Sequence, residues 1–214
     1  MVPDKMIAGI KMPDSTIARQ ATELLREHGS GLLYNHSLRT FLFASLNGKQ
    51  NRIKYDPELL YVSAVFHDLG LTPHYRSEDK RFEIDGADAA RDFLSSHGMA
   101  PQVLQLVWDA IALHTSPGIA EYKEAEVVLL NFGVALDVVG KGFDKLSIQD
   151  REAILQQFPR HDFKKHIIPT FYEGFKHKPQ TTYGSINADI CACMMPDFKR
   201  KDFCDLIKES PWEE

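Results

Sequence analysis

Apolar residues recur at three- and four-residue intervals along most of the chain, in segments separated by glycine, proline and short polar runs. Ile17, Ala21, Leu24 and Leu25 form the stripe of a first helix, capped by Asp14 or Ser15 and stopped at Gly29. Leu38, Phe41, Leu42 and Leu46 predict a second over residues 33–46, closed by Asn47-Gly48. Asp56, Pro57 and Glu58 mark the start of a third. It runs through Leu59, Leu60, Val62, Ala64, Val65 and Phe66 toward a stop at Gly70, and an element this apolar belongs at the centre of the fold. Residues 72–82 read as a polar loop. Helices follow over 84–96, from Pro101 to His114, and over 125–139. Beyond Gly142 the pattern weakens. Ser147 with Asp150 starts a short helix, and residues 163–175 predict another with Pro169 as a kink or boundary. Residues 176–182 read as a surface loop, and helical pieces at 186–194 and 198–207 are expected on the outside. The fold class is all-α, as one domain over residues 1–214.

Composition narrows this picture only modestly. With 214 residues, 43% hydrophobic and 26% charged, the chain has enough core for a fold without disulfides. Three cysteines (Cys191, Cys193 and Cys204) are an odd, late set that fits a reducing compartment. The N-terminal stretch has no apolar core of signal-peptide length and no later segment is long enough to span a bilayer, so a cytoplasmic location without membrane contact is expected. A net charge of −5 argues against a nucleic-acid partner, and no glycine-rich phosphate loop is present. The basic group Arg76, Lys80 and Arg81 is either a solvated surface or a guard over an anionic substrate.

Chemistry concentrates in a few polar residues set in apolar company. His67-Asp68 closes the third helix, His36 lies on the second, and Asp137 sits inside a Val-Ala-Leu-Asp-Val-Val run. Two imidazoles and two carboxylates suit zinc or another first-row divalent ion, and a carboxylate in such a run is costly to bury unless paired. The bland readings are histidines bonded to carbonyls and an Asp68 that caps a turn. His114 ends its helix and is either a group facing the same cavity or a partner of the helix dipole. Of Glu83 and Asp85, one caps the next helix and the other orients a nucleophile or relays a proton. Asp85 is preferred because Gly86 follows it. Cys191-Ala-Cys193 reads as packing or interface, as do Phe41 and Phe43. Phe66 and Trp108 are packing residues too, and with Arg39, Thr72, His74 and Glu83 they are the candidates to line a pocket.

These motifs resemble the HD-domain metal-dependent hydrolase superfamily. Tyr34 to Arg39 looks like its first histidine motif, Phe66 to Gly70 like the defining pair, and Ala135 to Gly140 like the terminal aspartate motif. The segments around His67, around Asp85 and around His114 resemble, more narrowly, the cyanamide hydratase-like branch. The likeness covers about residues 30–142. It implies an HD-domain helical bundle with additional C-terminal helices, and one Zn2+ (alternatively Fe2+ or Mn2+) on His36, His67, Asp68 and Asp137. It also implies a hydro-lyase acting on a small molecule, with self-association into a homo-oligomer. Metal-bound hydroxide is expected to attack a nitrile carbon, that of cyanamide foremost, giving urea, with His114, Asp85 and Asp68 as catalytic residues. The alternatives are an HD-type phosphohydrolase using Arg39 and the basic group, or a non-catalytic binding protein.

Overall fold

The computed structural model describes residues 6–212; the first five residues, where the N-terminal reading begins, lie outside them. Ten helices follow a short hairpin: α1 (Thr16–His28), α2 (Gly31–Asn51), α3 (Pro57–Phe66), α4 (Phe82–Ser96), α5 (Pro101–Ala112), α6 (Ala125–Val139), α7 (Ile148–Gln157), α8 (Phe163–Phe175), α9 (Asn187–Met194) and α10 (Phe203–Lys208). No helix among the described residues is long and apolar enough to cross a membrane. The hairpin pairs β1 (Met6–Ile7) with β2 (Ile10–Lys11) through Ala8 and Gly9, both at positive φ. Two-residue strands are too short to show a period, so the helical reading passed over them.

The Ser15 and Asp56 caps were read well and the stops less well, and neither Glu83 nor Asp85 caps α4, which starts after Arg81 without a side-chain cap. Ser15 accepts from the Ala18 N–H, and Asp56 accepts from the N–H groups of Glu58 and Leu59. Each such cap stabilises its helix by about 1 kcal/mol. Asn47-Gly48, expected to close α2, lies inside it, and the helix runs on to Asn51 and a left-handed Arg52. Gly48 is there for space: a Cβ on it would stand 2.7 Å from the Tyr55 ring and 3.2 Å from Leu129. Pro169 likewise sits within α8 and does not end it.

Helices α2 and α3 are buried around nearly their whole circumference, and α6 packs closely along α2. Gly133 of α6 faces the Thr40 carbonyl and Ala44 of α2, where a Cβ does not fit. The Glu126 carboxylate ties the start of α6 to the backbone N–H of Asp56 at 2.7 Å. A second, smaller core joins Leu33, Leu71 and Phe82 to Phe175 and Cys191. This corrects two expectations. Helix α9 does not simply lie on the outside, because Cys191 is fully buried. The stretch 176–182 is no surface loop either: it contains a 3-10 turn (Pro179–Thr182), and Lys178 and Thr182 are buried.

Candidate metal centre

Helices α2, α3 and α5 converge on one buried point. His36 projects from α2, and His114 follows the end of α5. His67 is the C-cap of α3, and Asp68 leaves the helical conformation at φ −106° and ψ 1°. That turn lets two adjacent side chains face one point. It is held by glycines used for close approach and not for left-handed backbone. A Cβ on Gly86 would lie 2.8 Å from the Phe66 carbonyl and 3.2 Å from that of His67, and Gly70 is pressed against the start of α4 in the same way.

The ligand atoms of His36, His67 and Asp68 all lie within 4.8 Å of one another, and all three residues are buried. His67 Nε2 stands 3.1 Å from His36 Nε2 and 3.2 Å from Asp68 Oδ2. His36 Nε2 is 3.5 Å from the same oxygen, and His114 Nε2 is 3.7 Å from Oδ1. The far nitrogens decide the tautomers. His67 Nδ1 donates to the Ala64 carbonyl at 2.7 Å, His114 Nδ1 to the Ile111 carbonyl at 2.6 Å, and His36 Nδ1 meets the Asp137 carboxylate at 2.6 Å. Each acceptor favours a proton on Nδ1, an arrangement that in the neutral tautomer leaves the Nε2 lone pair facing Asp68. Neither Asp68 oxygen accepts a hydrogen bond, although both are buried. Imidazole nitrogens and a carboxylate gathered at one buried point fit a divalent cation with nitrogen and oxygen donors.

Without an ion, the charges of the centre settle on one another. Burial works against charge on Asp68, yet His67, His36 and His114 together hold its pKa well below the usual carboxylate range. Burial also works against charge on His67, yet Asp68, the Ala64 carbonyl and Asp137 raise its pKa. At His114 burial prevails, reinforced by His67, and the pKa falls to about 4, leaving a neutral ring near pH 7.

Asp137, the fourth expected ligand, stands behind His36. Arg39 grips it with two bonds of 2.8 Å, and Arg160 reaches both its carboxylate and its carbonyl at 2.6 Å. Burial opposes its charge, but His36 and Arg39 hold its pKa well below the usual range. Arg39, expected near substrate, is wholly buried and bonds otherwise to the carbonyls of Phe158 and Pro159.

A cavity of about 440 Å3 adjoins the centre through His114. Val134, Ala135, Val138, Phe171 and Ile190 form much of its wall, with Thr115, Asn131 and Asn187 as inner polar groups. The residues expected to line a pocket lie elsewhere. Phe66 is core, Thr72 bonds the Leu69 carbonyl, and His74 stacks on His28 at 3.9 Å. Trp108 donates to Asp88. Glu83 approaches only through the Thr115 hydroxyl and the Asn187 amide, and it also binds Arg81. Those donors outweigh the effect of burial and lower its pKa. Asp85 is engaged by Lys178 at 2.6 Å and by the Ser77 N–H at 3.0 Å. Sequence reasoning missed Thr115, Asn131, Arg160, Lys178 and Asn187. Only Thr115 had a local signal, following His114 directly.

The chain is similar to two proteins of Saccharomyces cerevisiae, cyanamide hydratase DDI2 and cyanamide hydratase DDI3. It is 29% identical to each over 157 residues, which cover 72% of this chain and 70% of each relative. The HD domain family model matches residues 33–158, a span that takes in the metal-centre residues from His36 to Asp137. With His36, His67 and Asp68 gathered at one buried point and more than half of its length matched, this chain belongs to the HD domain family.

Proposed function

We propose that this chain hydrates a small neutral nitrile, cyanamide foremost, in the cavity beside His36, His67 and Asp68. The observation that carries the reading is the pairing of an unpartnered, buried Asp68 with an adjoining cavity that is mostly apolar. Similarity to the two yeast cyanamide hydratases supports the choice of substrate. A divalent ion bound there, for which we favour Zn2+ over Fe2+ or Mn2+, supplies a coordinated water of lowered pKa. The protein's part is positional. His36, His67 and Asp68 hold the ion, and Asp137 fixes the His36 ring through Nδ1. Neutral His114, its Nδ1 proton tied to Ile111, presents Nε2 to accept a proton from water at the edge of the cavity. Water oxygen bonds to the nitrile carbon, a proton passes to the nitrile nitrogen, and tautomerisation of the isourea gives urea. The apolar wall keeps other water from the reacting atoms. The three free cysteines support a cytoplasmic setting, in which we expect a homo-oligomer.

Phosphoester hydrolysis needs cations around the phosphoryl oxygens. Arg39 and Arg81 are committed to Asp137 and Glu83, Lys80 to Asp88, and Arg76 bonds the Glu173 carbonyl. One observation favours this second reading: a separate cleft of about 410 Å3 is lined by Arg39, Arg160, His161 and His166. It lies on the Asp137 side, and His36, His67, Asp68 and His114 are not among its lining residues.

The test is urea production from cyanamide by purified protein of known metal content, before and after chelation and after zinc is restored. Urea formation that follows metal occupancy supports the reading. Fully loaded protein that leaves cyanamide intact but cleaves members of a nucleotide panel replaces it with the second.

A further inference from the structure

The polar lining of the cavity is one-sided. Asn131 on α6 and Asn187 on α9 face it from different helices, only 5% and 3% exposed. Asn131 Nδ2 donates to the His114 carbonyl at 3.0 Å, and Asn187 Nδ2 donates to the two Glu83 oxygens at 3.1 and 3.3 Å. A carboxamide carries its oxygen on the opposite side from its nitrogen, so both Oδ1 atoms turn away from these partners. Among the described residues, no hydrogen bond reaches either oxygen. The neighbouring groups are committed in the same sense. The Thr115 hydroxyl donates to Glu83, and His114 uses its Nδ1 proton on Ile111, which leaves a lone pair on Nε2. The cation of the lining, Lys141, is paired with Glu121. The inner cavity therefore presents these acceptors in an apolar wall, beside the second N–H of Asn131. A ligand carrying N–H bonds can donate to such acceptors, whereas a fully alkylated one cannot.

We infer that Asn131 and Asn187 bind the amino end of the substrate through its N–H bonds, so that the site selects nitriles bearing a primary amino group over alkylated ones. This inference rests on the nitrile reading for its chemistry, whereas the preference for N–H donors is a property of the cavity. The volume of about 440 Å3 admits cyanamide and its methylated forms alike, so size does not produce the discrimination.

The experiment titrates cyanamide, N-methylcyanamide and N,N-dimethylcyanamide into unmodified protein, metal-free and metal-loaded, by calorimetry and ligand-observed NMR. The same titrations are made on Asn131→Leu and Asn187→Leu, with turnover measured on the loaded forms. Cyanamide is expected to bind on the order of tenfold more tightly than the dimethyl compound, with the monomethyl compound between them. Each variant is expected to lose roughly 2- to 10-fold for cyanamide and to leave the dimethyl compound unchanged. Equal binding of cyanamide and the dimethyl compound by unmodified protein, or no binding of cyanamide to either form, overturns the inference whether or not the variants fold. Selective binding of cyanamide without hydration upholds the amino-end site and removes the reaction. Hydration of both nitriles with the same KM keeps the reaction and removes the site.

Discussion

Asp85 was expected to relay protons, and its surroundings predict instead that it holds the C-terminal segment in place. Its carboxylate meets Lys178 Nζ at 2.6 Å, with the two side chains 3% and 0% exposed. Nearby, His177 bonds the Ser77 carbonyl and Arg76 the Glu173 carbonyl, so the pair sits in a seam joining the loop before α4 and its first turn to the end of α8. Removing one member of a fully buried pair leaves a charge without solvent or partner, which costs about 3–5 kcal/mol. For a chain of this size each kcal/mol shifts Tm by about 2–4 °C, so Lys178→Met or Asp85→Asn alone is expected to lower it by roughly 6–20 °C. The double variant Asp85→Leu with Lys178→Met removes both charges. It is expected to recover most of the loss, short by about 1 kcal/mol for the Ser77 N–H left without its acceptor. A double-mutant cycle by guanidinium unfolding, with metal content and turnover measured on each protein, checks this. The reasoning is refuted if Asp85→Asn keeps wild-type stability and full metal occupancy yet loses turnover, since that result puts the carboxylate in the chemistry.

Two further perturbations test the framework around the centre. Glu83 is buried with its pKa lowered below 4.5, so its contribution to stability is complete above about 4.5 and disappears as pH falls through the lower folded-state value. Glu83→Gln should therefore flatten the acid limb of the stability curve, and parallel limbs for both proteins in denaturant titrations between pH 3 and pH 7 refute this. Gly133→Ala forces a methyl group against the Thr40 carbonyl and should cost about 1–3 kcal/mol or more, with a looser His36–Asp137 contact read as weaker metal retention.

What the sequence disclosed and what it withheld divide along the range of the interactions involved. Helices α1, α3 and α6 were legible because their signals are local: the Ser15 and Asp56 caps, and the nearly unbroken apolar run from Leu59 to Phe66. His67-Asp68 was legible because adjacency at a helix end has few uses. The boundaries that failed were set by distant partners. Asn47-Gly48 has the composition of a turn, but Tyr55 and Leu129 need the missing Cβ inside a helix. Lys178 sits in a polar stretch and is buried because Asp85, far back in the chain, accepts it. The cavity wall was invisible for the same reason. Asn187 has meaning only against Glu83, and Asn131 only against the His114 carbonyl.

Partner counting over the buried carboxylates also separates the roles of Asp68 and Asp137. Asp137 accepts from Arg39, Arg160 and His36, Glu83 from Arg81, Thr115 and Asn187, and Asp85 from Lys178 and Ser77. Among the described residues, Asp68 is the buried carboxylate with neither oxygen in a hydrogen bond, and three imidazole Nε2 atoms surround it. An ionised carboxylate so placed costs several kcal/mol unless a cation meets it, about the same order as the penalty for a broken buried pair. Asp68→Asn is therefore expected to abolish divalent-ion binding. Asp137 instead meets His36 at Nδ1, the nitrogen that faces away from the other ligands. Loss of such an outer partner typically weakens metal affinity by about 10- to 100-fold. Asp137→Asn should thus still bind the ion, with affinity reduced by that factor in competition with a chromophoric chelator. Because the variant also leaves Arg39 without its full counter-charge, affinity is read on protein shown by circular dichroism to be folded. An Asp137→Asn protein that is folded and as devoid of metal as Asp68→Asn would move the Asp137 carboxylate from behind His36 onto the ion itself.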